Sequence, residues 1–251
     1  MLCRLAKSVD WNTLRQQWDS LADTRLEQIT SGKDITYNHV LMPEIAKGLK
    51  GKKFTNGLDV GCGVGVMANM ISNYCDKVIG IDISGKSIAV ADNLFSSTDV
   101  TFINDSIEGY AISSGFRHDF VLANMFLMDT PNLESSLNAI STSMTDGGYF
   151  LSVIPHPAFW PAHYGYADKE WFSYSDEIAV EMEFHISLET NPLMSIHFHR
   201  PLEIYIAKLL NAGFTITKFR EVSPSPKAML LYPKPWSVPR YLMIGCTKRS
   251  R

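Results

Sequence analysis

Gly57-Leu-Asp-Val-Gly-Cys-Gly-Val-Gly65 is the stretch that decides how this chain folds. It reads as a short apolar strand entering a turn with glycine at 61, 63 and 65. A helical pattern follows, carried by Val66, Met67, Met70 and Ile71. Glycine lets a turn take positive φ and lets backbone pass close to a ligand. The helix behind the turn offers unpaired N–H groups and the positive end of its dipole. Strand, glycine turn and helix together predict a nucleotide-type cofactor site at the carboxyl end of a parallel strand. The spacing departs from the dinucleotide fingerprint G-x-G-x-x-G, because Val66 stands where the third glycine belongs. That departure disfavours an oxidoreductase using a nicotinamide cofactor.

Two further apolar runs end in an acid. Val78-Ile-Gly-Ile-Asp82 places a carboxylate where a ribose hydroxyl pair is held in such sites, and Val100-Thr-Phe-Ile-Asn-Asp105 is followed by Ser106. Glycine turn, Asp82 and Asp105 on three successive strand ends resemble motifs I, II and III of the class I S-adenosylmethionine-dependent methyltransferases. The resemblance continues through Asp119-Phe-Val-Leu-Ala-Asn124 and Asp146-Gly-Gly-Tyr-Phe-Leu151, spanning roughly residues 54 to 153. It implies an α/β fold: a doubly wound, seven-stranded, mostly parallel Rossmann-like sheet. It also implies S-adenosylmethionine as cofactor, with the backbone of Gly61, Cys62 and Gly63 around its methionine portion. Asp59 would orient that loop or face the cofactor ammonium, and Asp82 would accept from both ribose hydroxyls. Ile83 would pack on the adenine, Asp105 would accept its amino proton, and Ser106 and Ile107 would offer backbone groups. Asn124 and Met125 would line the site beside the transferable methyl.

The pattern along the chain gives four segments. Residues 1–53 read as helical and, by the resemblance, lie across the cofactor, with Tyr37 able to reach its amino-acid end or to serve as a partly buried helix tyrosine. Residues 54–154 alternate strands near 57–61, 78–82, 100–104, 119–123 and 148–154 with helices Val64–Tyr74, Gly85–Phe95 and Leu133–Met144. The last of these is expected to stop at Asp146-Gly147-Gly148. Residues 155–200 break the rhythm with Pro155, Pro157 and Pro161 and a crowd of aromatics. This predicts a cap insertion with β-like runs near Glu177–Leu188 and Ser195–His199. Residues 201–251 complete the core with a helix over Pro201–Ala212 and strands over Thr215–Glu221 and Arg240–Thr247. The five prolines between 224 and 239 argue against any helix there.

Composition sets the outer bounds. The chain has 251 residues, 45% of them apolar, which suits one large domain or a domain with an inserted cap. A net charge of −3 disfavours a general nucleic-acid partner, and the basic run Lys50, Lys52 and Lys53 reads as a solvated loop. Cys3, Cys62, Cys75 and Cys246 have no paired or zinc spacing, so no metal is expected and a reducing compartment is. No membrane span or leader is expected, and the reading is cytoplasmic.

The acceptor is expected to be a small molecule, methylated on oxygen or nitrogen. His156-Pro157 follows the fifth strand, and His199-Arg200 precedes a helix carrying Leu202 and Tyr205. This pairing resembles a small-molecule methyltransferase subgroup with "HP" and "HR" motifs. Histidine titrates near neutrality, which makes His156 the first candidate base and His199 the second. Arg200 either binds an anionic group or anchors the helix start. RNA or protein methylation and non-catalytic cofactor binding stand as alternatives.

Overall fold

A computed structural model describes residues 3–6 and 9–250; Met1, Leu2, Lys7, Ser8 and Arg251 lie outside the described residues. The strands in chain order are β1 (Cys3–Leu5), β2 (Phe54–Val60), β3 (Cys75–Asp82), β4 (Val100–Asn104) and β5 (His118–Asn124). They continue as β6 (Met144–Pro155), β7 (Ile178–His185), β8 (Thr190–His199), β9 (Phe214–Val222) and β10 (Tyr241–Lys248). Seven of them form one mixed sheet in the order β4-β3-β2-β5-β6-β10-β9. The pairs β2–β3, β3–β4, β2–β5 and β5–β6 are parallel, whereas β10 runs antiparallel to both β6 and β9. The chain works outward from β2 to β4 and then returns to β5, so the order reverses between β2 and β5. A crevice at the carboxyl ends of the strands is expected at such a reversal.

Both sheet faces are covered, as the near-continuous apolar strands require. Along β5, Phe120 and Leu122 enter one buried cluster while Val121 and Ala123 enter another. The helices that cover these faces are α2 (Met42–Leu49), α3 (Val66–Ile71), α4 (Gly85–Phe95), α5 (Ile107–Ser113), α6 (Leu133–Thr142) and α8 (Leu202–Asn211); α1 (Trp11–Thr30) packs on α4 and on β8, and α7 (Trp160–His163) is a single turn. Gly61, Gly63 and Gly65 all have positive φ, so the turn is built as its composition demands. Gly65 also allows close helix–sheet packing. A Cβ there would fall 2.7 Å from Ala91 Cβ and 3.0 Å from the Phe102 ring.

Several local expectations need correction. Helix α6 ends at Thr142, where the Ser143 N–H bonds back to the carbonyls of Ala139 and Ile140. Strand β6 begins immediately, with Met144 opposite His118, so Asp146-Gly147-Gly148 lies in an irregular strand start and terminates no helix. The proline-rich tail does contain one helical turn, α9 (Pro226–Met229). Pro226 opens it, where a missing N–H costs nothing, and Ser225 Oγ accepts from the Ala228 N–H at 3.2 Å. Tyr37–Leu41 forms a π-helical turn ahead of α2 rather than ordinary α-helix. Its i→i+5 register has no signature in the side-chain pattern.

The two β-like runs after residue 176 form the hairpin β7–β8, and β1 adds to its free edge to make a second sheet in the order β1-β7-β8. A three-residue strand is too short to show period-two alternation, so β1 had no sequence signal.

Candidate active site

Two adjoining cavities, of about 450 and 90 Å3, open at the carboxyl ends of β2, β3 and β5. They share walls made by Trp18, Gly61, Gly63, Asp82, Met125 and Asp129. Ile83, Asp105, Ser106 and Ile107 line the smaller cavity; Tyr37, Asp59, Cys62 and Asn124 line the larger. All twelve residues picked from the sequence for the cofactor therefore lie around one continuous site.

Asp82 is the organising carboxylate. Its Oδ2 accepts from the Gly63 N–H at 2.9 Å and its Oδ1 from the Ser84 N–H at 2.8 Å. Each oxygen keeps a second lone pair for another donor. Burial raises its pKa, and the two amide bonds oppose that rise. Opposite it, a Cβ placed on Gly63 would meet nothing within 4 Å, so this backbone borders open space. Asp105 turns its Oδ1 to the Ser106 N–H at 2.8 Å.

Asp59 is 1% exposed, and its Oδ2 has no hydrogen-bond partner. Burial, reinforced by the Asp82 charge, pushes its pKa up to about 8. An orphaned buried carboxylate is costly, and a cation or a donor entering the cavity would relieve it. Asn124 Oδ1 is likewise buried and unpartnered. Beside it, Met125 has φ 57°, the one non-glycine residue with positive φ among those described. Such strain costs on the order of 1–3 kcal/mol and concentrates at functional sites. The Cys62 thiol is pushed well up by burial and by Asp82 and Asp59, so it stays protonated and fills space.

The two histidines expected as bases lie elsewhere, because neither lines either cavity. His156 is buried with Nε2 3.3 Å from Glu221 Oε1, and its Nδ1 accepts from the Ala158 N–H at 3.3 Å. His199 Nε2 donates to the Tyr174 carbonyl at 3.0 Å, and its ring packs edge-on against Phe172 and Tyr174. His163, His185 and His197 line the larger cavity instead. His197 Nε2 lies 3.1 Å from the Tyr166 hydroxyl, and burial pushes its pKa down to about 3. His185 sets Nδ1 toward the Glu183 carbonyl at 3.4 Å and lays its ring on Tyr164 at 4.3 Å.

Arg200 anchors the site from beneath. It is 2% exposed, and its guanidinium donates to the carbonyls of Leu127 at 3.0 Å and Thr130 at 2.6 Å and to Glu177 Oε2 at 2.9 Å. These bonds pin the loop after β5 that carries Met125 and Asp129. Arg200→Met should cost about 2–4 kcal/mol, because it strands buried carbonyls. Urea denaturation checks this by a lower midpoint at unchanged slope. Asp129 was not anticipated, since a loop acid five residues beyond a strand has no periodic signal. Burial and the nearby Asp82 charge raise its pKa well above the usual range, against the pull of Arg200.

Comparison with known proteins follows the same outline. Residues 58–152 match the methyltransferase domain family. Ubiquinone biosynthesis O-methyltransferase of Proteus mirabilis (strain HI4320) is 32% identical over 114 residues, which cover 44% of this chain and 45% of that protein. The chain thus spans a little under half the length of this curated relative. A solved S-adenosylmethionine dependent methyltransferase from Mesorhizobium loti superposes with TM-score 0.63 at 17% identity, covering 82% of this chain and 96% of that one. The N-methyltransferase NodS of Bradyrhizobium japonicum WM9, solved with S-adenosyl-l-homocysteine, gives TM-score 0.59 at 12% identity over 96% and 98% of the two chains.

Proposed function

We propose that this chain, which has the class I S-adenosylmethionine-dependent methyltransferase fold, methylates an oxygen or nitrogen of a small molecule held in the larger cavity. The observation that carries the reading is the orphaned Asp59 carboxylate facing the cavity next to Gly61, Gly63 and Asp82. These residues fit S-adenosylmethionine. Asp59 would face its ammonium, Asp82 its ribose hydroxyls, and Asp105 with Ile83 and Ile107 its adenine. When bound, the cofactor supplies an activated methyl group on a sulfonium, so the protein chiefly positions the acceptor and excludes water.

His185 takes the role of base in place of His156 and His199. A proton on Nδ1, facing the Glu183 carbonyl, leaves Nε2 as the acceptor. Burial lowers its pKa, which keeps the ring neutral at pH 7. His156 is a structural tie between the end of β6 and Glu221 in β9. The larger cavity, about 450 Å3 in all, would be shared by the methionine end of the cofactor and the acceptor, and the space left beside the cofactor suits a small molecule better than RNA or protein. Four free thiols, three of them buried, support a reducing compartment such as the cytoplasm. Among the described residues, no helix is long and apolar enough to cross a membrane.

Methyl-labelled S-adenosylmethionine mixed with a metabolite extract and with a separate RNA and protein fraction tests the acceptor class. Label is expected in the low-molecular-weight pool, and label confined to the macromolecules would contradict the reading.

Asp59 gives a pH signature. Its pKa is raised from 3.8 to about 8 in the folded protein, so between those values the native state binds more protons than the unfolded one. Stability without cofactor is therefore full below the unfolded pKa and is lost as pH rises toward 8. Asp59→Asn should remove a large part of that slope, amounting to a few kcal/mol by pH 8. Denaturation midpoints from pH 5 to 8 check it, and parallel curves for variant and parent would count against the assignment. S-adenosylhomocysteine binding at pH 7 should also release a proton, read by calorimetry in buffers of different ionisation enthalpy.

A further inference from the structure

Arg240 stands apart from the other buried cations near the site. Arg25 is matched with Asp34 at 2.9 Å and Arg200 with Glu177 at 2.9 Å. Arg240, half-buried on the wall of the larger cavity, has no carboxylate partner among the described residues. Its guanidinium lies over the Trp236 ring, 4.3 Å from the ring centre.

The topology explains its position. Strand β10 is antiparallel to β6 and pairs Tyr241 with Pro155, so the residue just before Tyr241 is delivered to the carboxyl edge of the sheet. There the aromatic side chains form a continuous wall. Tyr164 stacks on Trp160 at 4.1 Å, Trp160 meets Tyr241 at 5.2 Å, and Trp236 joins Tyr241 to Tyr232 at 5.9 and 5.2 Å. The Tyr232 hydroxyl is engaged with Thr36 at 2.9 Å, whereas the hydroxyls of Tyr164 and Tyr241 have no partner among the described residues. A partly desolvated guanidinium over an indole ring, with phenol donors nearby, offers its N–H groups for bidentate binding of an oxyanion.

The other charges on the cavity wall sharpen this. Asp129 is pushed toward its neutral form, Arg25 pairs with Asp34 at 2.9 Å, and Asp59 would face the cofactor ammonium in the saturated chain; Asp82, beside the glycine turn, and Glu183, on β7, also line this cavity. Lys234 lines the same cavity from the exposed proline-rich segment, with no carboxylate within ion-pair distance among the described residues. Of the three Lys and Arg side chains lining the cavity, Arg240 and Lys234 are thus the two without an ion-pair partner among the described residues, and Arg240 stands beside the aromatic wall.

We infer that the acceptor is a planar small molecule carrying an oxyanion group, carboxylate or phosphate, bound by Arg240 against the Trp160–Tyr164–Tyr241 wall. This rests on the methyltransferase reading, since it names the acceptor for the same cavity. The test uses the full chain saturated with S-adenosylhomocysteine, titrated with benzoate, phenyl phosphate and the neutral isostere benzamide. Binding of benzoate or phenyl phosphate at least about tenfold tighter than benzamide is expected, and whichever of the two is tighter identifies the oxyanion.

Arg240→Gln should erase that preference by about tenfold or more, with Arg240→Lys restoring part of it. S-adenosylhomocysteine affinity should be unchanged in both variants. Equal binding of the three probes, no binding of either anion, or an unchanged preference in Arg240→Gln would overturn the inference. S-adenosylhomocysteine affinity in the parent chain is read separately, and its absence would strike the methyltransferase reading instead.

Discussion

Asp82→Ala should raise the dissociation constant for S-adenosylhomocysteine by roughly 10²- to 10⁴-fold, with the fold retained. The figure follows from two bonds to a charged acceptor, worth about 1.5–3 kcal/mol each, that the ribose hydroxyls would lose. A second effect acts in the same direction. Asp82 also holds the Gly63 and Ser84 amides, so the variant loosens the glycine turn as well as removing the acceptor oxygens. Asp82→Asn separates the two effects, because its one carbonyl oxygen can keep a single amide bond but cannot accept from a hydroxyl pair. Calorimetric titration measures both variants, and circular dichroism confirms that they fold. Parent-like affinity in Asp82→Ala would show that the cofactor lies elsewhere.

His185→Ala is the second large effect. General-base groups contribute about 10²- to 10⁴-fold, so the single-turnover rate of methyl transfer should fall within that range. Affinity for S-adenosylhomocysteine should hold, since no cofactor-facing residue depends on the His185 ring. The pH profile provides a readout that a packing role would not move. With a pKa below the ordinary 6.5, the parent rate should climb through the acidic range and level off before neutrality, and that limb should vanish in the variant. His156→Ala should leave the limb in place, because its ring faces Glu221 rather than the cavity. An unaltered profile in His185→Ala would remove His185 as the base.

The clustering of the residues proposed for the cofactor was legible because each of them sits in a local strand-end motif. A strand ending in glycine or in an acid places its last residue at the sheet edge regardless of what the rest of the chain does. Asp59, Gly63, Asp82 and Asp105 could therefore be read off in order. The residues proposed for the acceptor come together through long-range pairing that no local pattern encodes. His197 reaches the cavity because the hairpin register sets it opposite Val180, with β1 closing the hairpin's other edge.

His156 does sit at the expected strand end, yet its ring turns to Glu221, 65 residues further along the chain. Asp129 owes its place to Arg200, which holds the loop after β5 from 70 residues away through the Thr130 carbonyl. Arg240 was hidden for the same reason: only the antiparallel insertion of β10 brings it beside Pro155.

Titration of the unmodified chain with S-adenosylhomocysteine, run beside the same titration with NAD, is the most direct measurement of what the glycine turn and Asp82 hold. Saturable one-to-one binding of S-adenosylhomocysteine, with no heat from NAD, is the expected result. Binding of NAD in its place, or no binding of S-adenosylhomocysteine, would contradict it.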